Sequence, residues 1–124
     1  MDDAKRLIPR LKSRSAKERY EAAELLGVSG EKEAVPALVE ALADSSNEVR
    51  YKTIVALANI KDKAAVPALA KLASHEDEET RGWSIWALGE IGAKEALPAI
   101  ERALSDKSEA VRKWAEWSKK QLVR

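Results

Sequence analysis

The stretch Arg81–Gly92, RGWSIWALGEIG, decides how the chain is read. On a helix, with roughly 100 degrees per residue and Trp83 set at zero, Ser84, Ile85, Leu88 and Ile91 fall at roughly 80 to 200 degrees. They form one continuous apolar stripe. Trp83 and Trp86 fall at roughly 0 and 300 degrees, on the other side of the same helix. A helix ordinarily buries its large aromatics in its core stripe. This one carries two tryptophans on a face its core does not use, and function is expected there.

Working outward, the same pattern returns at a fixed interval. Arg19, Arg50, Arg81 and Arg112 are spaced by 31 residues, and so are Pro36, Pro67 and Pro98. Gly27 and Gly30 return two periods later as Gly89 and Gly92. Four periods of 31 account for all 124 residues, which predicts one domain, 1–124, built of units 1–31, 32–62, 63–93 and 94–124. Each unit reads as two helices. The first opens with proline in its first turn and carries Val35, Leu38, Val39 and Leu42 at helical spacing. Ser15–Glu18 and Ser45–Glu48 fit the capping box that starts the second helix. Gly27, Ala58 and Gly89 are expected to end those second helices, with Gly27-Val-Ser-Gly30 turning the chain into the next unit. Pro9 is the misfit: it falls at the register of Glu40, inside the first helix, and should kink that helix or delay its start. No strand pattern is present.

Composition narrows the function classes. Twenty-two basic residues against 21 acidic ones leave a net charge of +1, so there is no global attraction to nucleic acid or to an anionic membrane. There is no cysteine, which removes disulfides, thiolate catalysis and cysteine-ligated zinc. No apolar run is long enough to span a bilayer and no signal peptide precedes the first charged helix, so a cytoplasmic protein is expected. The end units replace core residues with charge. Arg6 and Arg10 stand where the second unit has Ala37 and Ala41, and Glu116 and Lys119 stand where the third has Ile85 and Leu88. Polar terminal faces are what a complete solenoid needs.

Thr80-Arg81 through Gly92, its weaker copy Val49-Arg50 through Lys61, and the Val-Pro-Ala-Leu helices resemble the HEAT-like repeats of the phycobilisome lyase type. The resemblance covers all four units. It implies an all-α, right-handed αα-superhelix, with first helices on the convex side and second helices on the concave one. It implies a scaffold more than a chemistry. Artificial repeat libraries built on the same consensus look alike, and a chain with no phenylalanine and one methionine fits a consensus-derived origin.

All six aromatic residues lie on second helices, about opposite the core stripe. Trp83, Trp86, Trp114 and Trp117 are the expected anchors of a protein or peptide partner. Tyr20 and Tyr51 extend the row, and Lys52 and Glu90 set its polarity. Two other readings compete. One is a small-ligand protein related to the bilin lyases, stacking a tetrapyrrole, nucleotide or cationic group on tryptophan. The other is a scaffold without a ligand that pairs with a second copy through the aromatic face. The repeat arginines read as structural, close to acidic turn residues such as Asp44 and Asp106. Arg6, Arg10 and Arg14 read as a solvated cap, so no nucleic-acid partner is expected. His75-Glu76 resembles the iron-binding His-Glu pairs of HEAT-repeat deoxyhypusine hydroxylase, but it occurs once and in a turn. One imidazole does not assemble a closed metal site, so neither metal nor cofactor is expected. No nucleophile–base arrangement or phosphate-cradling loop is visible, so the chain is expected not to be an enzyme.

Overall fold

A computed structural model describes residues 3–123. Among the described residues there are eight α-helices and no strand. The chain forms two compact units, Met1–Asp62 and Lys63–Arg124, each holding two of the 31-residue repeats. In the first unit, α1 (Asp3–Leu7) gives way to a 3₁₀ turn at Ile8–Lys12 and is followed by α2 (Ala16–Ser29), α3 (Val35–Ala41) and α4 (Asn47–Ile60). The second unit holds α5 (Val66–Leu72), α6 (Glu78–Ile91), α7 (Leu97–Ala103) and α8 (Glu109–Val123). Proline opens α3, α5 and α7, where its missing N–H has no intrahelical partner to lose. Pro9 ends the first α-helix, where a kink or a delayed start was expected. The α-helix stops at Leu7, and Pro9 sits in the first turn of the 3₁₀ segment.

Each unit buries its own apolar stripe. Leu26, Leu38, Val49, Ile54 and Leu57 are sealed in the first, where α2 packs along α4. Leu69, Ile85, Leu88, Ile100 and Val111 are sealed in the second, where α6 packs along α8. Each such side chain contributes about 1.5–3 kcal/mol of burial. Second helices of 14 or 15 residues, against five or seven for the first ones, supply most of that surface.

The helix ends differ from the sequence reading in three places. Ser15 accepts from the Glu18 N–H at 3.2 Å, as a capping box requires, but its own N–H donates to Ser13 Oγ at 3.1 Å. The cap of α4 is Ser46, which accepts from the Val49 N–H, and not Ser45. The second helices also do not stop at Gly27, Ala58 and Gly89. They run almost one turn further, and the left-handed residues that end them are Gly30, Lys61 and Gly92, at φ of 68°, 59° and 74°. Gly27 and Gly89 are helix-interior residues with another purpose. A Cβ on Gly27 would lie 2.8 Å from Ala56 Cα, and one on Gly89 would lie 2.9 Å from Ser118 Cα. Both glycines let neighbouring second helices approach closely; neither turns the chain.

Lys61 holds a conformation that costs an L-residue about 1–2 kcal/mol and that glycine adopts freely. After the greater chain entropy of glycine is subtracted, Lys61→Gly is expected to stabilise the protein by about 0.5–1 kcal/mol in urea unfolding. No gain would mean that the lysine side chain recovers the strain through its own contacts.

The repeat arginines tie turns together inside each unit. Arg19 grips Asp44 through Nε and Nη2 at 2.7 and 3.2 Å and donates to the Ser13 carbonyl at 2.8 Å. Arg81 grips Asp106 at 3.0 Å through both nitrogens and donates to the His75 and Glu76 carbonyls. Arg50 and Arg112 repeat the carbonyl contact, to Asp44 and Asp106. This is the planar, multi-donor role a guanidinium fills and an ammonium does not. The basic stripe of the first repeat is offset by acids: Arg6 by Asp3, Arg10 by Glu18 and Lys12 by Glu40.

Candidate binding surface on the second helices

Helix α6 is buried over far more than the one stripe expected. Thr80, Arg81, Gly82, Ser84, Ile85, Ala87, Leu88 and Gly89 are all sealed, because α5, α7 and α8 pack on different sides of it. Ile91, placed in the core stripe by its angle, is only half-buried at the helix end. Beyond the first turn and before the helix end, what α6 leaves open is a strip about 60 degrees wide that carries Trp83, Trp86 and Glu90. The two tryptophans therefore stand off the core, where their angles placed them, and Glu90 shares their strip.

On α8, Trp114 is 41% exposed and Trp117 is half-buried. Their rings meet edge to face, with centroids 5.7 Å apart and planes at 89°. That arrangement satisfies the ring quadrupoles and contributes about 0.5–1.5 kcal/mol beyond area. Both rings lie over glycines of α6. A Cβ on Gly82 would be 3.5 Å from Trp114 Cδ1, and one on Gly89 would be 2.8 Å from Trp117 Cζ3. Ser118 completes the seam by donating to the Ile85 carbonyl at 2.8 Å. Trp114 and Trp117 thus join the two helices and still present ring surface outward. The signal for this pairing was in the sequence: Gly82 stands one residue after the repeat arginine, where the first two repeats have tyrosine.

The first unit gathers the other predicted residues. Tyr20 is half-buried and Tyr51 is 38% exposed. The Lys52 ammonium lies 5.4 Å from the Tyr20 ring centroid and 5.8 Å from that of Tyr51. Its Nζ donates to Glu24 Oε2 at 3.4 Å. Burial alone would lower the Lys52 pKa, but the Glu24 carboxylate and the Tyr20 hydroxyl outweigh it and hold the ammonium above its ordinary value. Lys52 is therefore seated between two rings and an acid. Glu24, absent from the expected site residues, completes this cluster.

Elsewhere, His75 lies in the turn before α6, where its Nδ1 accepts from the Asp77 N–H at 2.9 Å. The donor set of a di-iron site does not fit this chain, which has one histidine with a ring nitrogen already engaged. Among the described residues, no group of three or more His, Cys, Asp or Glu side chains is placed to hold a metal ion. A cleft of about 430 Å³ opens in the first unit between the 3₁₀ segment and α3, lined by Ile8, Pro9, Leu11, Ala37 and Ala41. Two periods on, the second unit has the corresponding cleft between α5 and α7, of about 170 Å³. No described helix is long and apolar enough to cross a membrane.

Four helix pairs in 31-residue register define an all-α repeat protein of the kind that serves binding or scaffold roles. The HEAT-repeat family pattern matches residues 4–75 and 39–119, and the chain belongs to that family. No curated protein sequence matches it significantly. Among solved structures it is similar to human deoxyhypusine hydroxylase in complex with glycerol, with a TM-score of 0.88 and 31% identity over 98% of this chain and 44% of that one. It is similar to a designed armadillo repeat protein in complex with the peptide (KR)4, with a TM-score of 0.76 and 25% identity over 94% and 62%. The complex of CpcE and CpcF of phycocyanin lyase from Nostoc matches at a TM-score of 0.67 and 23% identity over 97% and 65%, a likeness of fold. The chain thus spans 44% to 65% of the length of these structures.

Proposed function

We propose that this protein is a non-enzymatic recognition module that binds a protein or peptide through the aromatic residues of its second helices. One observation carries the reading: of the six aromatic side chains, none is sealed in the core and two are openly exposed. Large, rigid rings left at a surface give binding area at low entropy cost. Trp83, Trp86, Trp114 and Trp117 anchor the partner in the second unit, with Glu90 beside them. Tyr20, Tyr51 and Lys52 form a separate polar-aromatic contact in the first. The designed repeat protein that holds (KR)4 and the paired chains of the CpcE–CpcF complex support a polypeptide partner. The edge-to-face Trp114–Trp117 pair favours a second reading, in which this surface pairs two copies of the chain.

The test is a Trp83→Ala, Trp114→Ala double variant, checked for folding by circular dichroism. Peptides selected from a displayed random library on the unaltered protein should bind it at least about tenfold more weakly. Equal affinity on a folded variant would sink the assignment. Concentration-dependent sedimentation that disappears in the variant would favour the paired-copy reading.

A further inference from the structure

The first-unit cluster has the composition of a cation site and is filled by its own chain. Two tyrosine rings flank one ammonium at 5.4 and 5.8 Å, and a carboxylate closes a third side at 3.4 Å. We propose that the Tyr20–Tyr51 pair is a cage for a cationic side chain of a basic peptide, arginine above all, and that Lys52 occupies it as an internal competitor. This rests on the recognition reading above and names the chemistry of its first-unit contact.

Three features support the exchange. First, the resident pair is open: Glu24 is 48% exposed and the Lys52 side chain 21%, and an ion pair so close to water is held weakly. Lys52 has a flexible four-carbon stem and reaches solvent by rotating away, so vacating the cage needs no backbone movement. Second, arginine is the stronger occupant. Its guanidinium is less hydrated than an ammonium, stacks flat on aromatic rings and meets a carboxylate with two parallel donors. Third, the charge left behind suits a cation. Glu21 and Glu24 hold in the first repeat the register positions that Trp83 and Trp86 hold in the third, so the open strip of α2 is acidic where that of α6 is aromatic. With Lys52 turned out, two rings and the Glu24 carboxylate face the incoming group, with Glu21 one turn away on the same strip of α2.

The experiment titrates tetra-arginine into the full chain at constant ionic strength, read on the ring resonances of Tyr20 and Tyr51. Lys52→Ala is expected to bind it about three- to tenfold more tightly than the unaltered protein, because the competitor is gone while the rings remain. Lys71→Ala makes the same charge change at an exposed position of α5, in the other unit, and should alter affinity less than about twofold. Adding Tyr20→Leu to Lys52→Ala should abolish the gain. If that variant unfolds by circular dichroism, Tyr51→Leu, at a more exposed site, serves instead. Unchanged or weaker binding by Lys52→Ala overturns the proposal. So does an equal gain from Lys71→Ala, or a gain that survives loss of the ring. The readout sits on first-unit tyrosines, so it is independent of the tryptophan variant that tests the wider reading.

Discussion

Gly89→Ala is expected to lower stability by about 1–3 kcal/mol, although alanine is the better helix former by about 1 kcal/mol. The new methyl would stand 2.5 Å from Ser118 Oγ, 2.8 Å from Trp117 Cζ3 and 2.9 Å from Ser118 Cα. A flexible side-chain tip can yield, but Ser118 Cα is backbone and Ser118 Oγ is already committed to the Ile85 carbonyl. The helices must part, and contacts all along the α6–α8 seam loosen with them. Gly82→Ala, seven residues earlier on the same helix, should do the reverse. Its methyl would meet Trp114 Cδ1 at 3.5 Å and Val111 Cγ2 at 3.9 Å, which is ordinary contact. Propensity then decides, and a gain of about 0.5–1 kcal/mol is expected. Urea unfolding followed by tryptophan emission reads both variants. Two changes of the same sign would refute the contact geometry assigned to α6.

The second large effect lies at Arg81. Its side chain is 7% exposed and that of Asp106 is 13%, and four hydrogen bonds converge on the guanidinium. Arg81→Met keeps most of the aliphatic stem and removes the charge, and is expected to cost about 2–4 kcal/mol because Asp106 is left without its counter-ion. Adding Asp106→Asn should recover part of that loss, since the stranded charge disappears. A double variant no more stable than Arg81→Met alone would show that the carbonyl contacts matter more than the ion pair. The pair also fixes a pH dependence. Burial alone would raise the Asp106 carboxyl, but the Arg81 side chain and the Ser108 N–H more than offset it, and its pKa lies below the ordinary 3.8. A carboxyl depressed in the folded state gives its full stabilisation above its unfolded value. That contribution is lost as pH falls through the lower folded value. Asp106→Asn should therefore cost stability near pH 6 and cost less near pH 3.

The helices themselves were plain in the sequence, because a 31-residue register aligned four copies and let each apolar position vouch for the others. The off-core placement of Trp83 and Trp86 followed from angle alone. Helix ends did not. A glycine after a run of periodic apolar residues serves equally as a left-handed stop or as a seat for a neighbouring helix, and Gly27 and Gly89 satisfy both descriptions until the neighbour is known. Ser45 and Ser46 posed the same ambiguity one residue apart. The seating of Lys52 was hidden for a different reason. Its partners Glu24 and Tyr20 lie a repeat away on α2, and a strip of mixed charge does not reveal which charges meet.

The narrow open strip on α6 also governs how this fold can change its message. Nearly the whole circumference of that helix is spoken for by packing, and beyond its first turn Trp83, Trp86 and Glu90 remain as its vocabulary. Glu21, Glu24 and Val28 spell an acidic word on α2; Trp83, Trp86 and Glu90 spell an aromatic one on α6. Rewriting either touches no sealed residue and leaves the grammar of the repeat intact. A lineage, or an engineer, can therefore change what such a strip presents by editing a few letters while the folding instructions stand.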